Sequence, residues 1–188
     1  MSLHADATDV LTRWSPPDHA QAELRTQYLR HLGTHRDGVW RDCRPDHVTA
    51  SALVVSADRT RVLLTLHARI RRWLQTGGHC EQGDTSLAAA ARREAVEESG
   101  ISGLRIDEVP VLLAYHEVPC GPVRPAHHLD VQYVARATDG SSTRISDESD
   151  DLRWFAVDGL PEDTDDSVRA LVHHGLLRLS RSTSPSLR

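Results

Sequence analysis

The stretch GGHCEQGDTSLAAAARREAVEESGI, residues 77–101, decides how this chain is read. A glycine-rich loop runs into an alanine-rich helix, which collects Glu94, Glu97 and Glu98 just before Gly100. Asp84 or Thr85 can cap the first backbone N–H groups. The run from Ala88 to Ala91 has the highest helix propensity available, and its small side chains permit close approach to a sheet. Gly100 supplies a left-handed terminus. The three glutamates stand at i, i+3 and i+4 and therefore share one face. Like charges at this spacing cost about 0.2–0.5 kcal/mol per pair. Acids in the last turns also oppose the helix dipole, by about 0.3–1 kcal/mol each when exposed. Arg93 reaches Glu97 at i+4, but in the weaker order, and one arginine cannot offset three acids. Such a cluster is either a solvated acidic face or a site for a hard cation, whose binding removes the repulsion.

The sequence around this stretch predicts strands. HVTASALVVS and RVLLTLHA, joined by ADRT, carry a hairpin pattern of small and β-branched residues. Downstream, LRIDEVPVLLAYHEV (interrupted by Pro110), HLDVQYVARA and LRWFAV continue the pattern. In HLDVQYVARA the residues Leu129, Val131, Tyr133 and Ala135 alternate with His128, Asp130 and Gln132, the period of a strand with one apolar face. Residues 1–45 are helical in character: Pro16 and Pro17 suit a helix start, Leu24, Tyr28 and Leu32 form one apolar stripe, and Gly33 is suited to end it. That stripe needs a partner, either the main domain or a second subunit in a homodimer. A closing helix is expected near 165–180, and STSPSLR is expected to be a disordered tail. The class is α/β (α+β), divided into a helical extension (1–45), a main domain (46–162) and a C-terminal helix and tail (163–188).

Composition narrows the partners. The 188 residues carry a net charge of −5, which gives no bulk electrostatic reason to bind nucleic acid or a membrane. All the lysine and arginine charge is arginine. Cys43, Cys80 and Cys120 are widely spaced, odd in number and without a CxxC, which argues for a reducing compartment. MSLHADATDV has no secretory pattern, and no apolar run reaches the roughly 18 residues that span a bilayer. A cytoplasmic protein is the expectation.

Residues 78–101 resemble the Nudix hydrolase box, which runs Gly, five residues, Glu, seven residues, then R-E-U-x-E-E-x-G-U with U bulky and aliphatic. Gly78, Arg93, Glu94, Glu97, Glu98, Gly100 and Ile101 match it. Asp84 stands where Glu is usual, Ala95 replaces the aliphatic residue, and one extra residue lies between Asp84 and Arg93, so that Thr85 aligns equally well at the acidic position. The resemblance spans residues 46–162 and implies an α/β/α sandwich with a mixed sheet between helices.

It also implies an activity: hydrolysis of a nucleoside diphosphate linked to another moiety, with Mg²⁺ or Mn²⁺ neutralising the diphosphate and lowering the pKa of an attacking water. On this resemblance Glu94, Glu97 and Glu98 are metal ligands, the Gly77 carbonyl is a backbone ligand, and Arg93 orients the glutamates. Family members often add a glutamate from a distant loop. The segment ISDESDD offers Asp147, Glu148, Asp150 and Asp151, of which Glu148 is the preferred candidate; Glu81 is a weaker one. The alternative is a catalytically weak module that binds a nucleotide as a sensor.

The substrate class is open among nucleotide sugars, ADP-ribose-like compounds, dinucleoside polyphosphates and nucleoside triphosphates. Tyr115 lies close to where a Tyr in the family hints at dinucleoside polyphosphates. His128 and Asp130 form either a solvated strand face or a pocket wall. Gly78 and Trp40 complete the candidates for substrate contact. The histidines show no HxH or HExxH spacing, which argues against zinc.

Overall fold

The computed structural model describes residues 1–119, 122–146 and 149–181. Asp147, Glu148, Cys120 and the segment STSPSLR lie outside them. In chain order the elements are α1 (Leu3–Arg13), α2 (His19–Thr34), β1 (His47–Val55), β2 (Arg61–His67), β3 (Trp73–Leu74), β4 (Thr76–His79), α3 (Leu87–Ser99), β5 (Arg105–Val118), β6 (Ala126–Arg136), β7 (Ser149–Ala156) and α4 (Asp166–Arg181).

One mixed seven-stranded sheet organises them. β1 pairs with β6 in parallel along its whole length, and β6 pairs antiparallel with β5. Val54 and Val55 of β1 pair with β2, whereas Thr49 to Ala52 pair with β4. β2 in turn takes β7 and, through Thr65 and Leu66, β3. The β3–β4 segment thus bridges β1 and β2 where they part. Pro110 cannot donate to a ladder, and the β5–β6 register shifts between Asp107 and Leu112.

Helices cover both faces. On one, Ala88, Ala91 and Ala95 of α3 pack with Ala50, Ala52 and Val131, together with Leu11 of α1 and Tyr28 and Leu32 of α2. The small alanines bring α3 close to the sheet, with Ala91 and Ala95 fully buried. On the other, Val168, Leu171 and Val172 of α4 pack with Leu53, Val55 and Val134. The architecture is therefore an α/β/α sandwich around a mixed sheet. Among the described residues no helix is long and apolar enough to cross a membrane.

The N-terminal stripe is satisfied within the chain. The Tyr28 hydroxyl donates to the Ala114 carbonyl at 2.7 Å, and Gln21 both donates to and accepts from the Leu113 backbone. Leu24 is only partly buried. α1 reaches the box helix as well: the Leu87 N–H donates to the Asp6 carboxylate at 2.8 Å.

Several local expectations are corrected. Gly33 lies inside α2, which ends one residue later with His35 as its cap. The cap of α3 is Ser86, which accepts from the Ala89 N–H, and neither Asp84 nor Thr85 serves. The residues Gly77, Gly78 and His79 form strand β4 and not a loop, because β1 offers them a ladder. Gly100 does terminate α3 in the left-handed region, with φ 73°.

Candidate active site

The adjacent glycines of β4 open onto opposite faces of the sheet, as strand alternation requires. A Cβ on Gly78 would lie 2.8 Å from the Glu94 carboxyl atoms, so the absent side chain leaves the space that Glu94 occupies. A Cβ on Gly77 would lie 2.3 Å from the Ser51 Cβ, on the face away from α3. The Gly77 N–H donates to Glu98 Oε1 at 2.8 Å. β4 therefore holds Glu98 by its backbone and admits Glu94 by its lack of a side chain.

Arg93 organises the remaining acids. Its guanidinium makes a two-pronged contact with Asp84, Nε to Oδ1 at 3.1 Å and Nη2 to Oδ2 at 3.0 Å. Nη1 donates to Glu94 and to Glu97, each at 3.0 Å, and Nη2 also donates to the His79 carbonyl at 2.9 Å. Charge-assisted bonds of this fork geometry are among the strongest in proteins. The Asp84 hydrogen bonds lead in holding the guanidinium above its usual pKa, opposed by partial burial. Asp84 also accepts from the Glu81 N–H at 2.8 Å, closing the loop before α3. Of the two residues that align at the acidic position, Asp84 is the one that engages Arg93.

The trio is graded in exposure. Glu98 is 9% exposed as a residue, whereas the Glu97 side chain is 56% exposed and Glu94's only 14%. The structure thus brings together Gly77, Gly78, Arg93, Glu94, Glu97 and Glu98, with Glu81 at the rim, 3.8 Å from Arg93. Clustered carboxylate oxygens on a rigid helix are a donor set suited to Mg²⁺ or Mn²⁺.

The other candidates are distributed elsewhere. Asp150 and Asp151 begin β7 and pair with Arg71 and Arg153. Glu148 and Asp147 fall outside the described residues. Trp40 is half-buried against the core on the α3 side. Tyr115 pairs with Leu129 and stacks on His127, with ring centroids 4.3 Å apart, so it faces the α3 side. His128 and Asp130 lie on the opposite face, since His116 is the register partner of His128. No single wall contains Tyr115 together with these two.

The solvated reading is overturned for Asp130 and Gln132, because β6 runs between β1 and β5; His128 is half-buried. Asp130 and Gln132 are buried, and Asp130 accepts from Ser51 at 2.6 Å and Thr49 at 3.1 Å. Burial raises the Asp130 pKa, and the Ser51 hydrogen bond opposes that rise. Histidines also cluster here, despite the absence of HxH or HExxH spacing. His47, His79 and His128 come from three strands and meet on this polar half-face. Spacing within one strand could not reveal them, although a parallel register aligning His47 with His128 could have.

Comparison with known proteins agrees with this geometry. A family model described as NUDIX domain matches residues 45–174. Among solved structures, a NUDIX-family hydrolase from Clostridium perfringens is 23% identical, covers 71% of this chain and 97% of its own, and has a TM-score of 0.58. The Ap4A hydrolase of C. elegans is 16% identical over 71% of this chain and 98% of its own, with a TM-score of 0.60. The dihydroneopterin triphosphate pyrophosphohydrolase of E. coli is 18% identical over 72% of this chain and 97% of its own, with a TM-score of 0.59. No curated protein matches the sequence. The structural likenesses carry the fold, and the family match, over more than half of the chain, carries membership: this protein belongs to the NUDIX domain family.

Proposed function

We propose that this protein is a Mg²⁺- or Mn²⁺-dependent hydrolase of nucleoside diphosphates linked to another moiety. The observation that carries the reading is the convergence of Glu94 and Glu98 on β4, one against a missing side chain and one on a backbone N–H. A binding module would have no need to hold like charges at this cost. Glu94, Glu97, Glu98 and the Gly77 carbonyl are the groups that would hold the cation. When bound, it supplies charge neutralisation to the diphosphate and acidifies water.

The chain's own residues position and screen. Arg93 holds Glu94 and Glu97 in a fixed arrangement and offsets their repulsion. The Gly77 N–H orients Glu98. Nucleotide substrates follow from the same reading: two of the similar proteins are hydrolases of Ap4A and of dihydroneopterin triphosphate.

The test is turnover of a panel of nucleoside-diphosphate derivatives with Mg²⁺ or Mn²⁺. Glu98→Gln is expected to lower kcat/KM by more than about 100-fold, beyond the effect of losing an outer contact to a metal ligand. Equal rates for the two proteins would sink the assignment of Glu98. Tight nucleotide binding without turnover by the wild type would instead favour a sensor.

Gly78→Ala probes the same site by another route. The new methyl meets the far end of Glu94, so the side chain moves and the backbone stays. Turnover is expected to fall about tenfold, a displacement of roughly 1.4 kcal/mol in the barrier, with little change in Tm. A large fall in Tm at full activity per folded molecule would contradict this account.

A further inference from the structure

We propose that His47, His79 and His128 form a second metal site, a three-nitrogen site for a divalent transition ion of the Zn²⁺ class, separate from the carboxylate cluster. The register assembles it: His47 and His128 are partners across the parallel β1–β6 pair, and His79 is the partner of Thr49, two residues from His47. All three side chains therefore project from one face, opposite the face on which α3 packs. Their ring centroids form a nearly equilateral triangle with sides of 5.1, 4.9 and 4.9 Å.

The polar atoms point to a missing partner. His47 is 1% exposed, and its Nε2 is buried with no hydrogen-bond partner; the same is true of His128 Nε2. A buried nitrogen left unpaired is costly, and two in one cluster call for an occupant. His47 Nδ1 faces the Cys43 carbonyl at 3.2 Å. That contact places the proton on Nδ1 and leaves Nε2 unprotonated, the arrangement common to metal-bound histidines.

The dimensions suit a small ion. One potential ligand atom from each ring lies within 4.8 Å of the other two. Around a tetrahedral Zn²⁺ with Zn–N of about 2.0–2.1 Å the nitrogens stand roughly 3.3 Å apart, so each has to move inward by less than about 1 Å. Burial keeps the His47 and His128 rings below their usual pKa, His128 at about 3. Arg41 and Asp46 bring opposite charges to His47. Nitrogen donors select a borderline transition ion over Mg²⁺, whereas the carboxylates of α3 have the reverse preference. Three protein ligands also leave a fourth position for water or an exogenous group.

The two sites share β4. The His79 carbonyl accepts from Arg93, while its ring belongs to the histidine trio. An ion held by the histidines would therefore steady the strand that also supports Glu94 and Glu98.

Co²⁺ is the probe, added to tag-free, chelator-treated full-length protein and followed by visible absorption. One equivalent per chain is expected to give the intense bands of a four-coordinate site, and Zn²⁺ is expected to displace it. His79→Gln and His128→Gln, both at partly exposed positions, are expected to weaken Co²⁺ binding by more than about 100-fold, beyond the usual effect of losing an outer contact. Circular dichroism establishes that each variant is folded. Glu94→Gln and Glu98→Gln are expected to retain the bands, which separates this site from the carboxylate site. Absence of the bands in the wild type, their survival in both histidine variants, or their loss in the glutamate variants alone would overturn the proposal.

Discussion

Arg93→Ala is expected to cost about 3–5 kcal/mol of stability, the range for removing one partner of a buried ion pair. Asp84 has 5% of its side chain exposed and Glu94 has 14%, so neither can recover its lost partner from bulk water. Glu97, more than half exposed, loses little of its own. The His79 carbonyl also loses a donor. For a chain of this size each kcal/mol moves Tm by about 2–4 °C, so a fall of at least about 6 °C is expected by calorimetry. Arg93→Lys should recover only part of it, because an ammonium cannot reproduce the fork on Asp84. A Tm within about 2 °C of wild type for Arg93→Ala would mean that the acids are not held as described. Added Mg²⁺ should raise the variant's Tm more than the wild type's, since the cation takes over the screening.

Gly77→Ala is expected to be comparably damaging, for a steric reason. Its Cβ would stand 2.3 Å from the Ser51 Cβ and 2.6 Å from the Ser51 Cα. The obstructing atoms belong to β1, which is paired on both edges and fully buried, so it cannot yield. Overpacking of a rigid core costs about 1–3 kcal/mol or more. Here separation of β4 from β1 adds the loss of ladder bonds and of the Gly77 contact to Glu98. A loss of about 3 kcal/mol or more, or failure to accumulate as soluble protein, is the expected outcome in urea unfolding. Gly83→Ala, where a Cβ would meet nothing within 4 Å, is the matched control and should be close to neutral. Gly77→Ala with wild-type unfolding would refute the packing of β4 on β1. The contrast with Gly78→Ala is the point of the pair: backbone obstructs one methyl and a side-chain tip the other.

The helix carrying the acids was legible because its determinants are local. Alanine propensity, the spacing of Glu94, Glu97 and Glu98, and the left-handed glycine all act within a few turns. Its start was less so, because Asp84, Thr85 and Ser86 can each cap a helix. Asp84 was removed from that competition by Arg93, nine residues away, which engages both of its oxygens. The alternation in β6 was read correctly as a strand, but its polar side was expected to meet either solvent or substrate. The strand's place between β1 and β5 instead buried Asp130 and Gln132 in hydrogen bonds.

By itself, then, the sequence determined the class of fold, the box helix and the acids on one of its faces, since periodicity and propensity act between near neighbours. Tertiary structure alone decided three further things. β4 was drawn into the sheet by the ladder β1 offers, Asp6 of the N-terminal helix was brought to the start of α3, and three histidines separated by 32 and 49 residues were brought together on one face. The physical reason is common to all three: strand register and helix docking join residues distant in the chain, and no local pattern encodes which pairs will meet.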